Sequence, residues 1–159
     1  MPNIAIVGAQ WGDEGKGKVV DLVTPCVDIV ARYSGGPNAG HTVVTGGQRY
    51  VLQSVPSGVL RPGKRSVIGC GVVVDPAALL EEMDGLAASG IALDQVYVSQ
   101  NAHAIMPYHL ALDRAADQAR IGTTGKGVGP AYADKAARLG IRVGDLLDEA
   151  LLRDRKSVV

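Results

Sequence analysis

Phenylalanine is absent from this 159-residue chain, tryptophan occurs once, and cysteine occurs twice. With so few large rings, the core has to be filled by Val, Ile, Leu and Ala, which suits close-packed α/β layers better than an aromatic-rich sandwich. Cys26 and Cys70 fall in neither C-x-x-C nor metal-ligand spacing. They are expected to be reduced, half-buried thiols of a cytosolic protein. Net charge is lacking too: Lys+Arg and Asp+Glu are 16 each. No global field draws the chain to nucleic acid or an anionic membrane, and neither is expected as a partner. No apolar run approaches the ~20 residues of a membrane span, and no basic n-region suggests a leader. A soluble, cytoplasmic protein of one domain is expected, without internal repeats or linkers.

What the chain has in quantity is glycine, 21 residues, and three loops are rich in it. The first is Gln10-Trp11-Gly12-Asp13-Glu14-Gly15-Lys16-Gly17-Lys18. The apolar run Ile4-Ala5-Ile6-Val7-Gly8 precedes it and Val19 to Val23 follow, so it reads as strand, loop and helix start. Backbone N–H groups can crowd round an anion there, and the helix adds its positive dipole end. Gly12 to Lys18 spells G-x-x-x-x-G-K, but Val19 stands where an ordinary P-loop has Ser or Thr for Mg²⁺. Asp13 and Glu14 put carboxylates where phosphate would sit. Either they hold a cation or move a proton, or they merely cap the helix.

Thr24-Pro25 stops that helix and residues 28–33 read as a second strand, completing a βαβ unit with a parallel sheet. The second loop, Ser34 to His41, should lie at the carboxyl edge of the strands beside the first. Thr42–Thr45 and Arg49–Gln53 flank Gly46-Gly47, a hairpin signal. Residues 66–70, extended by 72–74, and residues 96–98 read as further strands. Asp75-Pro76 caps a helix with Leu79, Leu80, Met83, Leu86 and Ala87 on one face, Glu81, Glu82 and Asp84 on a solvated face, and Gly90 as its stop. A helix over 108–120 follows, with His103 in the loop before it. The third loop, Gly122 to Pro130, leads into helices over 132–139 and 145–152. The end at residues 156–159 carries no capping signal and reads equally as a tail or a cut. The fold class is α/β: a mainly parallel sheet flanked by helices, P-loop-NTPase-like, with an antiparallel hairpin.

His41, after Asn38-Ala39-Gly40, is a candidate for work on a transferring phosphoryl group. His103 and His109 have no such setting and read as structural. Thr123, Thr124, Lys126, Lys135 and Arg138 suit a second phosphate, as on a nucleoside monophosphate.

Taken together these residues resemble the adenylosuccinate synthetase family. Residues 10–18 look like its first signature without a mismatch, and 127–138 like its second, with Val128 where Ile is usual. Asn38-Ala39-Gly40-His41-Thr42 matches the loop between them. Lys126 stands where Arg is common, and Leu139 where a second Arg is frequent. Family members run well over twice this length, so residues 1–159 look like the N-terminal portion of a single GTP-dependent ligase domain.

The resemblance implies a ligase of purine biosynthesis that joins IMP and L-aspartate to adenylosuccinate at the expense of GTP, through a 6-phosphoryl-IMP intermediate. It implies Asp13, His41 and Lys16 as catalytic residues. Gly12, Asp13, Glu14, Gly15, Lys16, Gly17, Lys18, Gly40, His41 and Thr42 would bind GTP. Asp13, Glu14, Gly15, Lys16, Asn38, Ala39, Gly40, His41, Thr124 and Arg138 would bind IMP, with Arg138 reaching across a homodimer. Asp13 and the Gly40 carbonyl would hold Mg²⁺. Related phage enzymes that use dGMP lack this aspartate, so Asp13 favours IMP. The competing readings are a P-loop-type nucleotide switch or partner-binding NTPase, and a fragment inactive by itself.

Overall fold

A computed structural model describes residues 3–9, 15–38, 40–118 and 123–156, without the side chains of 117, 118, 155 and 156. In chain order the elements are α1 (Lys16–Val23), β1 (Ile29–Arg32), β2 (His41–Thr45), β3 (Gln48–Leu52), β4 (Arg65–Ile68) and β5 (Val73–Val74). They continue with α2 (Pro76–Ala88), β6 (Val96–Val98), β7 (His103–Ala104), α3 (Pro107–Gln118), α4 (Val128–Ala137) and α5 (Glu149–Lys156). Short 3-10 turns lie at Thr24–Cys26, Ser57–Leu60 and Gly144–Leu147.

The α/β expectation holds. β1, β4 and β6 form a parallel sheet in the order β1-β4-β6, with α2 as the crossover between β4 and β6. β2 and β3 form the antiparallel hairpin, with Thr45 opposite Gln48. Its two-residue turn needs left-handed backbone at both positions, and Gly46 (φ 57°) and Gly47 (φ 77°) supply it. β5 and β7 pair in parallel, Val73 opposite His103. His103 was expected in a loop; the register shows that even two residues form a ladder when a buried neighbour offers free backbone groups.

The expected first strand is not formed. Residues 4–8 have no ladder among the described residues, and Ile4 and Val7 are 56 % and 68 % exposed. An apolar run makes a strand only where a second strand accepts its hydrogen bonds. Of the βαβ unit expected at the N-terminus, the described residues keep α1 and β1, with residues 3–9 in no regular element.

The main core gathers Leu52, Val55, Ile68, Val74 and Ala102 with Leu79 and Leu86 of α2. Asp75 caps α2 by accepting from the N–H groups of Ala77 (3.0 Å) and Ala78 (3.2 Å). Gly90, at φ 80°, ends the helix, its N–H donating to the Ala87 carbonyl at 2.9 Å and the Ile91 N–H to that of Leu86 at 3.1 Å. Leu80 departs from the expected apolar face and is exposed. Cys26, in the turn after α1, and Cys70, beyond the end of β4 at Ile68, are free but exposed rather than half-buried.

α3 and α4 are locked together by one carboxylate. Asp134 accepts from the Tyr108 hydroxyl at 2.6 Å and from His109 Nε2 at 3.0 Å. His109 Nδ1 accepts the Met106 N–H at 2.8 Å, which fixes the tautomer, and its ring is 1 % exposed. Reading His109 as structural is supported. Burial pulls the Asp134 pKa upward, but the hydrogen bonds from Tyr108 and His109 outweigh it and hold the carboxyl below its ordinary value. Tyr108 is raised by burial and by the same carboxylate. Among the described residues, no helix is long and apolar enough to cross a membrane.

Three outcomes test this packing. In urea unfolding, Gly71→Ala should destabilise by about 2 kcal/mol or more, since its Cβ would fall 2.0 Å from the Tyr33 carbonyl oxygen. Gly85→Ala, mid-helix with nothing within 4 Å, should instead stabilise by roughly 0.5–1 kcal/mol. Asp134→Ala strands the buried Nε2 of His109 and should cost about 1–3 kcal/mol at neutral pH. Because the folded carboxyl is depressed, that contribution is complete above the unfolded pKa of ~4 and disappears as pH falls through the folded value. The deficit of the variant should shrink accordingly in acid.

Candidate functional site

β1 ends at Arg32, and beyond its carboxyl end a cleft of about 700 Å³ opens. Gly15 to Lys18, residues 30–35 and Gly40 to Thr42 all line it, with Ile6 of the N-terminal segment on one wall. Ligand sites of open parallel sheets lie at this edge. The first and second loops are thus brought together, as expected.

α1 begins earlier than the sequence pattern implies. Gly15, in left-handed conformation (φ 81°), precedes its first residue, and Lys16 and Lys18 sit in the first turn rather than in the loop. Cations at a helix N-terminus oppose the macrodipole. An anion at this end of the helix would be attracted by both the lysines and the orphan N–H groups. At Gly17 a Cβ would come 2.8 Å from ring carbons of His41. The helix start therefore seats directly on the imidazole, and only glycine permits that approach. α1 buries no side chain fully. It is tied down by Asp21, which pairs with Arg61 at 3.3 Å, and by the Thr24 hydroxyl donating to the Val20 carbonyl at 2.8 Å.

Two residues whose roles the sequence pattern did not show hold the backbone around the cleft, Arg32 at the second loop and Glu82 at the chain leaving β3. Arg32 donates from Nη1 to the Gln53 carbonyl and from Nη2 to the Gly36 carbonyl at 2.6 Å. Glu82, expected on a solvated face of α2, instead accepts the backbone N–H groups of Gln53 (2.9 Å), Ser54 (2.8 Å) and Val55 (3.2 Å). Helical spacing gives the face on which a carboxylate sits, but not that a loop from 28 residues earlier lies along it. An arginine closing an apolar strand was the one available signal for Arg32.

His41 opens β2 and is half-buried. Desolvation, then the Arg32 charge, lowers its pKa, while Glu82 and Asp21 oppose the shift. The shift favours the neutral imidazole, with one N–H to donate and one nitrogen able to accept.

The third loop is packed on the second but does not line the cleft. The Tyr132 hydroxyl accepts the Gly35 N–H at 2.7 Å and donates to the Gly71 carbonyl at 2.8 Å. Buried Asp113 accepts the Gly127 N–H at 2.8 Å, fixing the entry to α4. Thr124 is exposed. Arg138 lies with Lys135 and Arg142 around a separate cavity. It ends α4 with φ 65°, the one non-glycine residue in left-handed backbone among those described. Asn38 is exposed beside Gly36 and Pro37, which are buried. Gly12, Asp13, Glu14 and Ala39 lie outside the described residues. Among the described residues, no group of three or more His, Cys, Asp or Glu is placed to hold a metal.

A parallel sheet flanked by helices, with a glycine-started helix facing its carboxyl edge, defines an α/β protein of P-loop-like build. A family model for adenylosuccinate synthetase matches residues 5–158, and the chain belongs to that family. It is 58% identical over 159 residues to adenylosuccinate synthetase of Frankia alni, spanning 98% of this chain and 37% of that one. Thermobifida fusca adenylosuccinate synthetase gives the same figures. The structure of fully ligated adenylosuccinate synthetase from Plasmodium falciparum superposes with a TM-score of 0.84 at 39% identity, over 94% of this chain and 36% of that one. Succinoaminodeoxyadenylate synthetase of cyanophage S-2L, bound to dGMP and dATP as an energy donor, superposes with a TM-score of 0.65 at 29% identity, over 94% and 42%. The chain thus spans little more than a third of the length of the bacterial relatives just named.

The His41 pKa checks the electrostatics. Followed by two-dimensional NMR, the ring should titrate below ~6.5, the ordinary histidine value. Glu82→Gln removes a charge that favours the imidazolium, so the midpoint should move lower still; an upward move would contradict the arrangement.

Proposed function

We propose that this chain carries the nucleotide-phosphate part of a GTP-dependent ligase that joins IMP and L-aspartate to adenylosuccinate, the first committed step of AMP synthesis. The observation that carries the reading is the convergence of Lys16, Lys18 and His41 on one cleft in a member of this family. The cleft offers helix N–H groups and cations to phosphates at one end and a neutral imidazole beside them.

In this reading Asp13 takes the proton from N1 of the hypoxanthine ring, so that O6 becomes nucleophilic toward the γ-phosphoryl group of GTP. Lys16, at the first position of α1, neutralises charge on the phosphoryl oxygens, and His41 donates a hydrogen bond to them as they transfer. The amino group of aspartate then displaces phosphate from C6. Gly12, Glu14, Gly15, Gly17, Lys18, Gly40 and Thr42 complete the GTP cradle, and Asn38, Ala39 and Thr124 hold IMP. Arg138 serves the partner's IMP in a homodimer. In support, its left-handed backbone is the kind of strain that persists at functional positions, and it lies outside the cleft of its own chain.

Mg²⁺ fits the donors available. It takes few protein ligands and completes its shell with phosphate oxygens and water. The backbone carbonyl of Gly40, which lines the cleft, and the Asp13 carboxylate meet that need. When bound, the ion would neutralise phosphate charge. A P-loop switch or partner-binding NTPase is favoured less, because Val19 replaces the hydroxyl residue and is exposed.

The test is Asp13→Asn in a chain of the relatives' full length. The rate should fall at least ~10²-fold with IMP binding retained; near-normal turnover would end the assignment. His41→Asn should lose rate while still binding GTP and IMP. If it changes only the Michaelis constant for GTP, His41 is a binding residue. The 159-residue chain alone should show little or no turnover of IMP.

A further inference from the structure

Arg32 is the last residue of β1 and is half-buried on the wall of the cleft. Burial lowers its pKa, and the Glu82 carboxylate, then Tyr132, oppose that shift. A guanidinium keeps its charge all the same, so withdrawing one from water is costly unless its N–H groups are used. They are spent on two backbone carbonyls, those of Gln53 and Gly36, which belong to separate stretches of chain.

The two acceptors flank one unit. Gly36 lies in the second loop, and Gln53 directly follows β3. Leu52, the residue before Gln53, stands opposite His41 at the open end of the hairpin. Arg32 therefore bridges the two chains just outside the last ladder pair. Residues 37–40 are the span between its hold on Gly36 and that pair.

What the bridge joins is anchored in different parts of the fold. At Gly36 a Cβ would fall 2.8 Å from Val128 and 2.9 Å from Val73, so this backbone is pressed on α4 and β5. The neighbouring Gly35 carbonyl accepts the Val73 N–H at 2.9 Å. Gln53 is gripped through both its backbone groups by opposite charges: its N–H donates to Glu82 at 2.9 Å, and its carbonyl accepts from Arg32. Glu82 rides on α2, whose Leu79 and Leu86 sit in the main core.

We propose that Arg32 is a positioning residue for the nucleoside-monophosphate side of the cleft: by tying Gly36 to Gln53 it sets the shape of residues 37–40. Both its bonds act at that stretch, whereas the cations and N–H groups for GTP phosphates lie at the start of α1, on a different element. The two nucleotides therefore respond unequally to its loss. Lysine keeps the charge but replaces the planar fork with a single ammonium, so it does not reproduce the two-carbonyl bridge. The identity of the ligand rests on the ligase reading; the bridge does not.

NMR relaxation on the 159-residue chain tests the bridge. The backbone order parameters of Asn38 and Gly40 should lie near ~0.85 in the unaltered chain and fall below ~0.6 in Arg32→Lys, with α2 unchanged. Glu82→Gln frees Gln53 from the other side and should loosen the same two residues; it decides the matter if Arg32→Lys does not fold. Loose Asn38 and Gly40 in the unaltered chain, or no change in either variant, overturns the bridge. Steady-state kinetics of Arg32→Lys in a chain of the relatives' full length test its purpose. The KM for IMP should rise about tenfold or more, the scale of one hydrogen bond to a charged group. The KM for GTP should move by less than about twofold, the additivity error between independent sites. Equal rises in both, or a lower kcat with both constants unchanged, make Arg32 a structural residue only and overturn the positioning role. If the unaltered full-length chain shows no IMP-dependent turnover, the ligase reading fails and the IMP assignment with it, while the order parameters still decide the bridge.

Discussion

Two charged side chains hold the candidate site in shape by binding backbone rather than each other. Glu82 takes three successive N–H groups at residues 53–55, and Arg32 takes the carbonyls of Gln53 and Gly36. The exit of the hairpin, the end of β1 and the second glycine-rich loop are thereby fixed to one another. The hairpin register then delivers His41 to the start of β2, where the N-terminus of α1 lands on its ring. Charge-assisted bonds to backbone are stronger than neutral ones, and here each end of the frame is anchored in the main core: α2 through Leu79 and Leu86, and β4 through Ile68. A cleft made almost wholly of loops acquires definite geometry in this way.

The same logic recurs at α4. Asp113 holds the entry to the helix, Asp134 locks its middle to α3, and Tyr132 ties it to the carbonyls and N–H groups of the loops at 35 and 71. These polar groups are spent on positioning the helix, Asp113 and Tyr132 through backbone and Asp134 through side chains of α3. Such fixing is expected where loops carry function on a rigid scaffold. At the end of α4, Lys135 and Arg142 are likewise tied to the Cys70 carbonyl and to Asn101, beside a buried His103 whose Nδ1 has no hydrogen-bond partner.

Several features were legible without coordinates because they depend on short-range physics. The Gly46-Gly47 turn, the Asp75-Pro76 start of α2 and the stop at Gly90 need only the conformational preferences of the residues concerned. The first signature was legible in the same way, since glycines beside lysines before a helix point to an anion whatever surrounds them. Other assignments failed where a distant partner decides. Residues 4–8 have the composition of a strand but find no ladder among the described residues. Glu82 has the spacing of a solvated residue but meets a loop. The third loop has the residues of a phosphate site yet packs behind the cleft, because α4 is held by Tyr132 and Asp134.

By itself, then, the order of residues determined the family, the α/β class, the caps and turns, and the chemistry on offer in the first two loops. Only the tertiary structure decided which groups share a cavity. His41 joined the helix start because Gly17 admits its ring, and Arg138 was separated from Thr124 and joined to His103. Local conformation is governed by sterics within a few residues, whereas partnership between loops is set by packing and backbone hydrogen bonds across the chain.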